Sequence, residues 1–382
     1  MSSPTENRVY LDWNATAPLR PEARAAMLSA MDVVGNPSSV HAEGRAAKAI
    51  IEKARRQVAA LVGCEPGEVV FTSGATEAAA LIMAVGGPVD QTVYASKIEH
   101  DCIWEHAAHS LFIGVDRAGK FDLTGDFDLA IVPQLLEGDF VAFQTANGET
   151  GVVNDVAGSA RYTGERSKGV RIFSDMVQAL GKWPTCFNET GADFACASAH
   201  KLGGPKGVGA LLVREGIEIN PFMKGGGQEM RRRSGTENLV GIAGFGAAAE
   251  AAQRDLESGV WGRVTKLRDD LEHHLEAAAL DINIIGRDSP RLPNTSYFAI
   301  PGWKGETQVM QMDLAGFAVS AGSACSSGTT KASRVLLAMG YDEETASSAI
   351  RVSMGPTTTE AEVMGFADTW IEHYRRRKLR AA

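Results

Sequence analysis

Short apolar runs alternate with helical patterns through the first part of the chain, and no other feature constrains the fold as much. Val69–Thr72, Thr92–Ala95, Phe140–Gln144, Val170–Ser174, Phe194–Ala197 and Val208–Val213 read as strands. Several are apolar throughout, as expected of strands covered on both faces. Helical patterns fall between them, for example from Ala75 and from Asp155. That alternation predicts a mostly parallel α/β sheet. From Glu237 to Leu280 the chain turns rich in Ala, Glu and Leu, which predicts two helices broken near Ser258-Gly259. Strand-like Ile282–Ile285 and Thr295–Ile300 follow, with helices over Glu306–Leu314, Lys331–Met339 and Thr359–Tyr374. This is the pattern of a second, smaller α+β part, and 382 residues suffice for two cores.

Charge narrows the function. Lys and Arg total 38 against 47 Asp and Glu, a net charge of −9. Such a balance argues against nucleic acid as a partner. The basic run Arg375-Arg376-Arg377-Lys378 reads as the solvated end of a last helix. The opening residues lack the apolar core of a signal peptide, and no apolar run is long enough to span a bilayer. Five cysteines at scattered spacing do not make a disulfide framework, so a reducing, cytoplasmic setting is expected. No Cys and His spacing resembles a zinc site, and no resident metal is expected.

Four motifs carry chemistry. Phe71-Thr-Ser-Gly-Ala-Thr-Glu77 places small residues where a strand gives way to a helix, whose unpaired N–H groups suit a phosphate. A plain capped turn uses the same residue types. Asp175 in Phe173-Ser-Asp-Met-Val-Gln178 stands just beyond an apolar strand, where open α/β sheets bind ligands. A carboxylate there can keep a pyridinium nitrogen protonated; the alternative is a helix cap. Lys201 follows another strand in Ala197-Ser-Ala-His-Lys201-Leu-Gly-Gly-Pro-Lys-Gly207. A partly desolvated Lys can bond an aldehyde cofactor, although most lysines are surface residues. Cys325 sits among small residues in Ser320-Ala-Gly-Ser-Ala-Cys325-Ser-Ser-Gly328. That context describes an accessible thiol on a pliant loop, or a surface thiol with no role.

Together these motifs resemble the NifS/IscS-type cysteine desulfurases of the class V aminotransferase group, which are fold-type I enzymes. The resemblance runs from Tyr10-Leu-Asp-Trp-Asn-Ala-Thr to Ala349-Ile-Arg-Val-Ser-Met-Gly. It includes Gly35-Asn-Pro-Ser-Ser-Val-His, Asn147-Gly-Glu-Thr-Gly and Arg233-Ser-Gly-Thr. It implies an α/β fold-type I architecture with a mostly parallel seven-stranded sheet. It also implies a large domain over 15–257 and a small α+β domain from 1–14 and 258–382 that carries the Cys325 loop.

The implied activity is removal of sulfur from L-cysteine with pyridoxal 5'-phosphate, giving L-alanine and a persulfide on Cys325. Lys201 would hold the cofactor, His100 would stack on its ring and assist proton transfer, and Asp175 would pair with the ring nitrogen. Gln178 would contact the ring hydroxyl, and Ala75, Thr76, Ser198 and His200 would bind the phosphate. Asn147 would contact cofactor and substrate, and Arg351 would take the substrate carboxylate. Thr236 would reach the phosphate of a neighbouring subunit, which implies a homodimer. A sulfur acceptor or iron–sulfur scaffold of the IscU/NifU kind is the implied partner, with Cys325 as a transient ligand of an iron–sulfur cluster.

Gln228 stands where the family often has His, and Trp13 where Asn is usual. Neither removes a group the chemistry needs. A selenocysteine lyase or aminotransferase of the same fold, and a non-catalytic sulfur-assembly scaffold, are the alternatives.

Overall fold

The computed structural model describes residues 8–83, 92–107, 112–122, 137–160, 169–221, 223–322 and 332–381. The main sheet is built from β2 (Val69–Thr72), β3 (Val93–Ser96), β4 (Phe112–Val115), β6 (Phe140–Gln144), β7 (Arg171–Asp175), β8 (Phe194–Ser198) and β9 (Gly209–Val213). Their number is the seven that the resemblance implies; six were expected as apolar runs, β4 was not, and the two-residue β5 (Phe121–Asp122) adds an eighth at the edge. Their order is β2-β9-β8-β7-β6-β3-β4-β5. Strands β4, β3, β6, β7, β8 and β2 run in one direction, while β9, between β8 and β2, and the edge strand β5 are reversed.

Both faces are covered, which is why these strands read as continuous apolar runs. Along β6, Val141 and Phe143 enter one core, while Phe140 and Ala142 enter the other. The first core is closed by α2 (Ala42–Val62) and α4 (Leu239–Ser258), the second by α3 (Ala75–Met83). Helix α1 (Pro21–Met31) packs beside α4. Gly259 ends α4 in a left-handed conformation (φ 75°) and starts α5 (Val260–Ala278), at the break the sequence predicts.

A second antiparallel sheet joins β10 (Asn283–Ile284), β11 (Thr295–Ala299) and β13 (Ala349–Ser353). One face, with Phe298, Ile350 and Val352, packs on α5, α6 (Gly305–Leu314) and α8 (Glu360–Ala381). The opposite face, with Tyr297, Ala299 and Ala349, meets Ile98 and Val115 of the first sheet and α7 (Arg334–Ala338). Arg351 pairs with Tyr297 across β11 and β13, so the alternation of the strand aims it at the main sheet. The start of the chain ties the two sheets together: β1 (Val9–Tyr10) pairs with β12 (Phe317–Ala318), and Asp12 bridges Ser353.

Candidate active site

A cleft of about 670 Å³ opens where the parallel strands end. Ser73 and Gly74 follow β2, Glu99 and His100 follow β3, and Asn147 follows β6. Asp175 closes β7 and Ser198 closes β8. Ligands in open α/β sheets bind at these carboxyl ends. Gly209 lets the Gly74 turn sit on the sheet: a Cβ on Gly209 would lie 2.7 Å from the Gly74 Cα. From the second sheet comes Arg351, from α7 Arg334 and Val335, and from the first segment Asn14, Ala15 and Thr16.

The floor is electrostatically polarised. Asp175 is buried, and burial pushes its carboxyl up; His100, the Val177 N–H, the Cys196 thiol and Lys201 pull it back. Burial and the nearby Asp175 push Glu99 well above the usual carboxylate range. Its Oε1 accepts the Gln144 N–H at 2.8 Å, and its Oε2 is buried without a partner among the described residues. On the other side, the Lys201 amine donates to the Asn14 and Ala15 carbonyls at 2.6 and 3.0 Å. Burial, with Lys201, Lys206 and Lys182 nearby, lowers His200 to about 4, so its imidazole is neutral near pH 7. It lies 3.2 Å from the Thr16 hydroxyl.

The start of α3 forms the third wall. Glu77 caps it by accepting the Ser73 N–H at 2.6 Å and the Arg233 Nε–H at 2.9 Å. Burial raises the Glu77 carboxyl, but these two partners outweigh it and hold the group below its usual value. The nine-residue helix turns its positive end toward the cleft, with Thr76, Ser198 and His200 beside it. A Cβ on Gly74 or Gly207 would meet nothing within 4 Å, so the backbone here is open to a ligand.

The class V aminotransferase family model matches residues 9–366. A cysteine desulfurase of Cereibacter sphaeroides is 40% identical over 369 residues, covering 93% of each chain. The IscS-like cysteine desulfurase of Mycobacterium tuberculosis is 36% identical over 375 residues, again 93% of each. The chain belongs to the cysteine desulfurases of the class V aminotransferase family. A NifS-like protein from Rickettsia africae superposes on this desulfurase with a TM-score of 0.87 at 34% identity, over 96% of this chain and 99% of the other.

The desulfurase cleft gathers Lys201, His100, Asp175, Asn147, Gln178, Ala75, Thr76, Ser198, His200 and Arg351. Thr236 is exposed and outside this lining. Cys325 lies outside the described residues. Asn147 is already engaged by protein: its Oδ1 accepts the N–H groups of Glu149 and Thr150, and its Nδ2 donates to the Ile98 carbonyl. Arg351 donates to Asp12 and to the Gly148 carbonyl, both at 2.9 Å. Lys206 is exposed and also lines the cleft.

Sequence reasoning assigned no role to Asn14, Glu99 or Lys182. Asn14 lay inside a motif noted for resemblance, and Glu99 stood beside His100. Nothing distinguished Lys182 from a surface lysine. The two departures have physical partners. The Trp13 indole lies over Gly355, where a Cβ would come within 2.2 Å of the ring. Gln228 accepts the Gly235 N–H at 3.3 Å.

Proposed function

We propose that this desulfurase uses pyridoxal 5'-phosphate held by Lys201 to take sulfur from L-cysteine, releasing L-alanine and keeping the sulfur as a persulfide on Cys325. The carrying observation is the convergence of Lys201, Asp175, His100 and Arg351 on one cleft beside the start of α3. The residues present fit that cofactor. Its anion matches the helix start with Thr76, Ser198 and His200. Its ring nitrogen matches the buried Asp175, and its aldehyde matches Lys201. The cleft volume is that of a cofactor site.

Bound there, the cofactor supplies an electron sink that lets the amino acid's Cα–H bond ionise. Asp175 would hold a proton at the ring nitrogen, His100 would cover the ring, and Gln178 would meet the ring hydroxyl. Arg351 takes the substrate carboxylate through its guanidinium. The Lys201 amine removes the Cα proton. The Cys325 thiolate attacks the substrate sulfur: the new S–S bond forms as the Cβ–S bond breaks. The electron pair of the broken bond returns to the carbon skeleton, which gains a proton and leaves as alanine.

The exposed Thr236, just after Arg233, is assigned to the phosphate of a second subunit, so the working form is a homodimer. Residues 15–257 are read as the cofactor domain, and 1–14 with 258–382 as the domain that brings Arg351 and Cys325. The separate apolar cores of the two sheets support that division. The persulfide goes to an acceptor protein, with iron–sulfur assembly or thiolation as its use, in the cytoplasm.

The test is a visible spectrum of the purified protein with pyridoxal phosphate, followed by assay of alanine and sulfide from L-cysteine with excess dithiol reductant to release the persulfide sulfur as sulfide. A visible band that Lys201→Ala abolishes, with alanine and sulfide in equal amounts, supports the reading. Alanine formed at the parent rate by Cys325→Ala would remove Cys325 from it.

A further inference from the structure

Directly behind the cleft, a second lysine is buried among side-chain amides. Lys182 is 5% exposed and ends the turn that follows β7. Its Nζ donates to the Gln178 Oε1 at 2.9 Å and to the Asn14 Oδ1 at 3.3 Å. We propose that Lys182 is a positioning residue: a buried amine that sets which way the Gln178 amide faces and, through Asn14, where the amine of Lys201 rests. The inference rests on the cofactor assignment above and adds a residue to it.

The Lys182 amine gives its two hydrogens to the Gln178 and Asn14 side-chain oxygens, and the Asn14 backbone carbonyl can only accept, whereas an amide end can donate or accept. With Lys182 behind it, Gln178 must present its oxygen to the lysine and its NH2 to the cleft side. There the NH2 donates to the Asn14 carbonyl at 3.0 Å. A flipped amide would set N–H against N–H and oxygen against carbonyl oxygen. One N–H of Gln178 is then left for an acceptor in the cleft, such as the ring hydroxyl.

Asn14 is the hub. Its Oδ1 accepts from Lys182 and from the Asn294 amide at 3.0 Å, and its Nδ2 donates to the Thr295 hydroxyl at 2.8 Å. Its backbone carbonyl accepts from Gln178 and, at 2.6 Å, from Lys201. Lys182 therefore holds Gln178, one partner of the carbonyl on which Lys201 rests, and the Asn14 side chain of the residue that carries it.

The amine works uncharged. Two amide oxygens match the two hydrogens of a neutral amine; an ammonium would bury a third hydrogen beside no carboxylate. The charged groups facing it are Lys201 and Arg351, and burial with these two cations lowers its proton affinity well below the usual lysine range.

The test measures pyridoxal phosphate affinity, and the pH midpoint of the bound cofactor's visible absorbance, in the parent, K182M, K182R, Q178A and K182M/Q178A. K182M is expected to weaken affinity about tenfold in the parent, the scale of one hydrogen bond, and less than about twofold in Q178A. K182M should leave the midpoint in place, and K182R should lower it by about one unit or more by adding a cation. Equal losses in both backgrounds, or no loss in either, would overturn the positioning role. A midpoint raised by K182M and unmoved by K182R would overturn the neutral amine. If K182M does not fold by circular dichroism, K182R carries the test, and an unmoved midpoint overturns the inference. A parent that takes up no pyridoxal phosphate ends both readings; a parent that binds it while K182M matches it ends this one alone.

Discussion

His200 illustrates what burial does to one residue of the cleft. Its folded value is lowered to about 4, whereas an exposed imidazole titrates near 6.5. Between those values the unfolded chain binds more protons than the folded one, so stability falls as pH drops from about 6.5 toward about 4. Above that window the contribution is complete. Urea midpoints of the cofactor-free protein should therefore fall between about pH 7 and about pH 4.5, and His200→Asn should reduce that fall. An identical fall in the variant would contradict the burial argument. Arg351 offers a second check. Arg351→Lys loses the guanidinium fork and should raise KM for L-cysteine by roughly 10- to 100-fold, with the substrate-free visible spectrum unchanged. A normal KM would mean that another group takes the carboxylate. Lys201, Asp175 and His100 were legible because each follows an apolar strand or lies in a specific motif. Lys182 and Asn14 were not, because burial of a lone Lys or Asn leaves no mark on its neighbours in sequence.

Among the elements, the segment after Gly225-Gly-Gly is the most strained. Glu229, Met230 and Arg231 have φ of 45°, 56° and 67°, a left-handed turn without glycine. Such residues cost roughly 1–2 kcal/mol each. The turn is held by a buried bidentate pair, with the Arg55 guanidinium 2.8 and 2.9 Å from the Glu229 carboxylate. The same carboxylate accepts the Phe71 N–H at 2.8 Å, which ties the turn to β2 and the start of α3. Glu229→Ala leaves the buried Arg55 guanidinium with only Glu52 at 3.3 Å and the Val69 carbonyl at 2.6 Å, and should cost about 3 kcal/mol in urea unfolding. A loss under about 0.5 kcal/mol would show that the turn stands without the pair. Strands β2, β6 and β8 were legible as apolar runs, with ends right to within a residue. Strand β13 was noted only as a motif, because Arg351 and Ser353 interrupt its apolar pattern while facing a polar cleft. Helix α2 was not predicted, although Ala47, Ile51, Ala54, Val58 and Leu61 on its buried face recur at helical spacing.

At the scale of the whole molecule, chemistry depends on two sheets that meet through shared side chains. Glu149, next to the cleft, accepts from the Tyr297 hydroxyl at 3.0 Å and the Ser333 hydroxyl at 2.6 Å, joining the Asn147 turn to β11 and α7. Asp12 accepts from both Arg351 and Ser320. Ser320 lies at the start of the segment that carries Cys325. Glu149→Ala should weaken this joint; L-cysteine turnover should fall more than pyridoxal phosphate affinity, because Arg351 lies across the joint from Lys201. Equal losses of both would contradict that division. The most direct test of the central claim is a single turnover of the pyridoxal phosphate-loaded protein with one equivalent of L-cysteine, followed by alkylation and mass spectrometry. The account predicts one added sulfur on the peptide containing Cys325, matched by one alanine. Alanine released with that peptide unmodified, or the sulfur found on another cysteine, would contradict it.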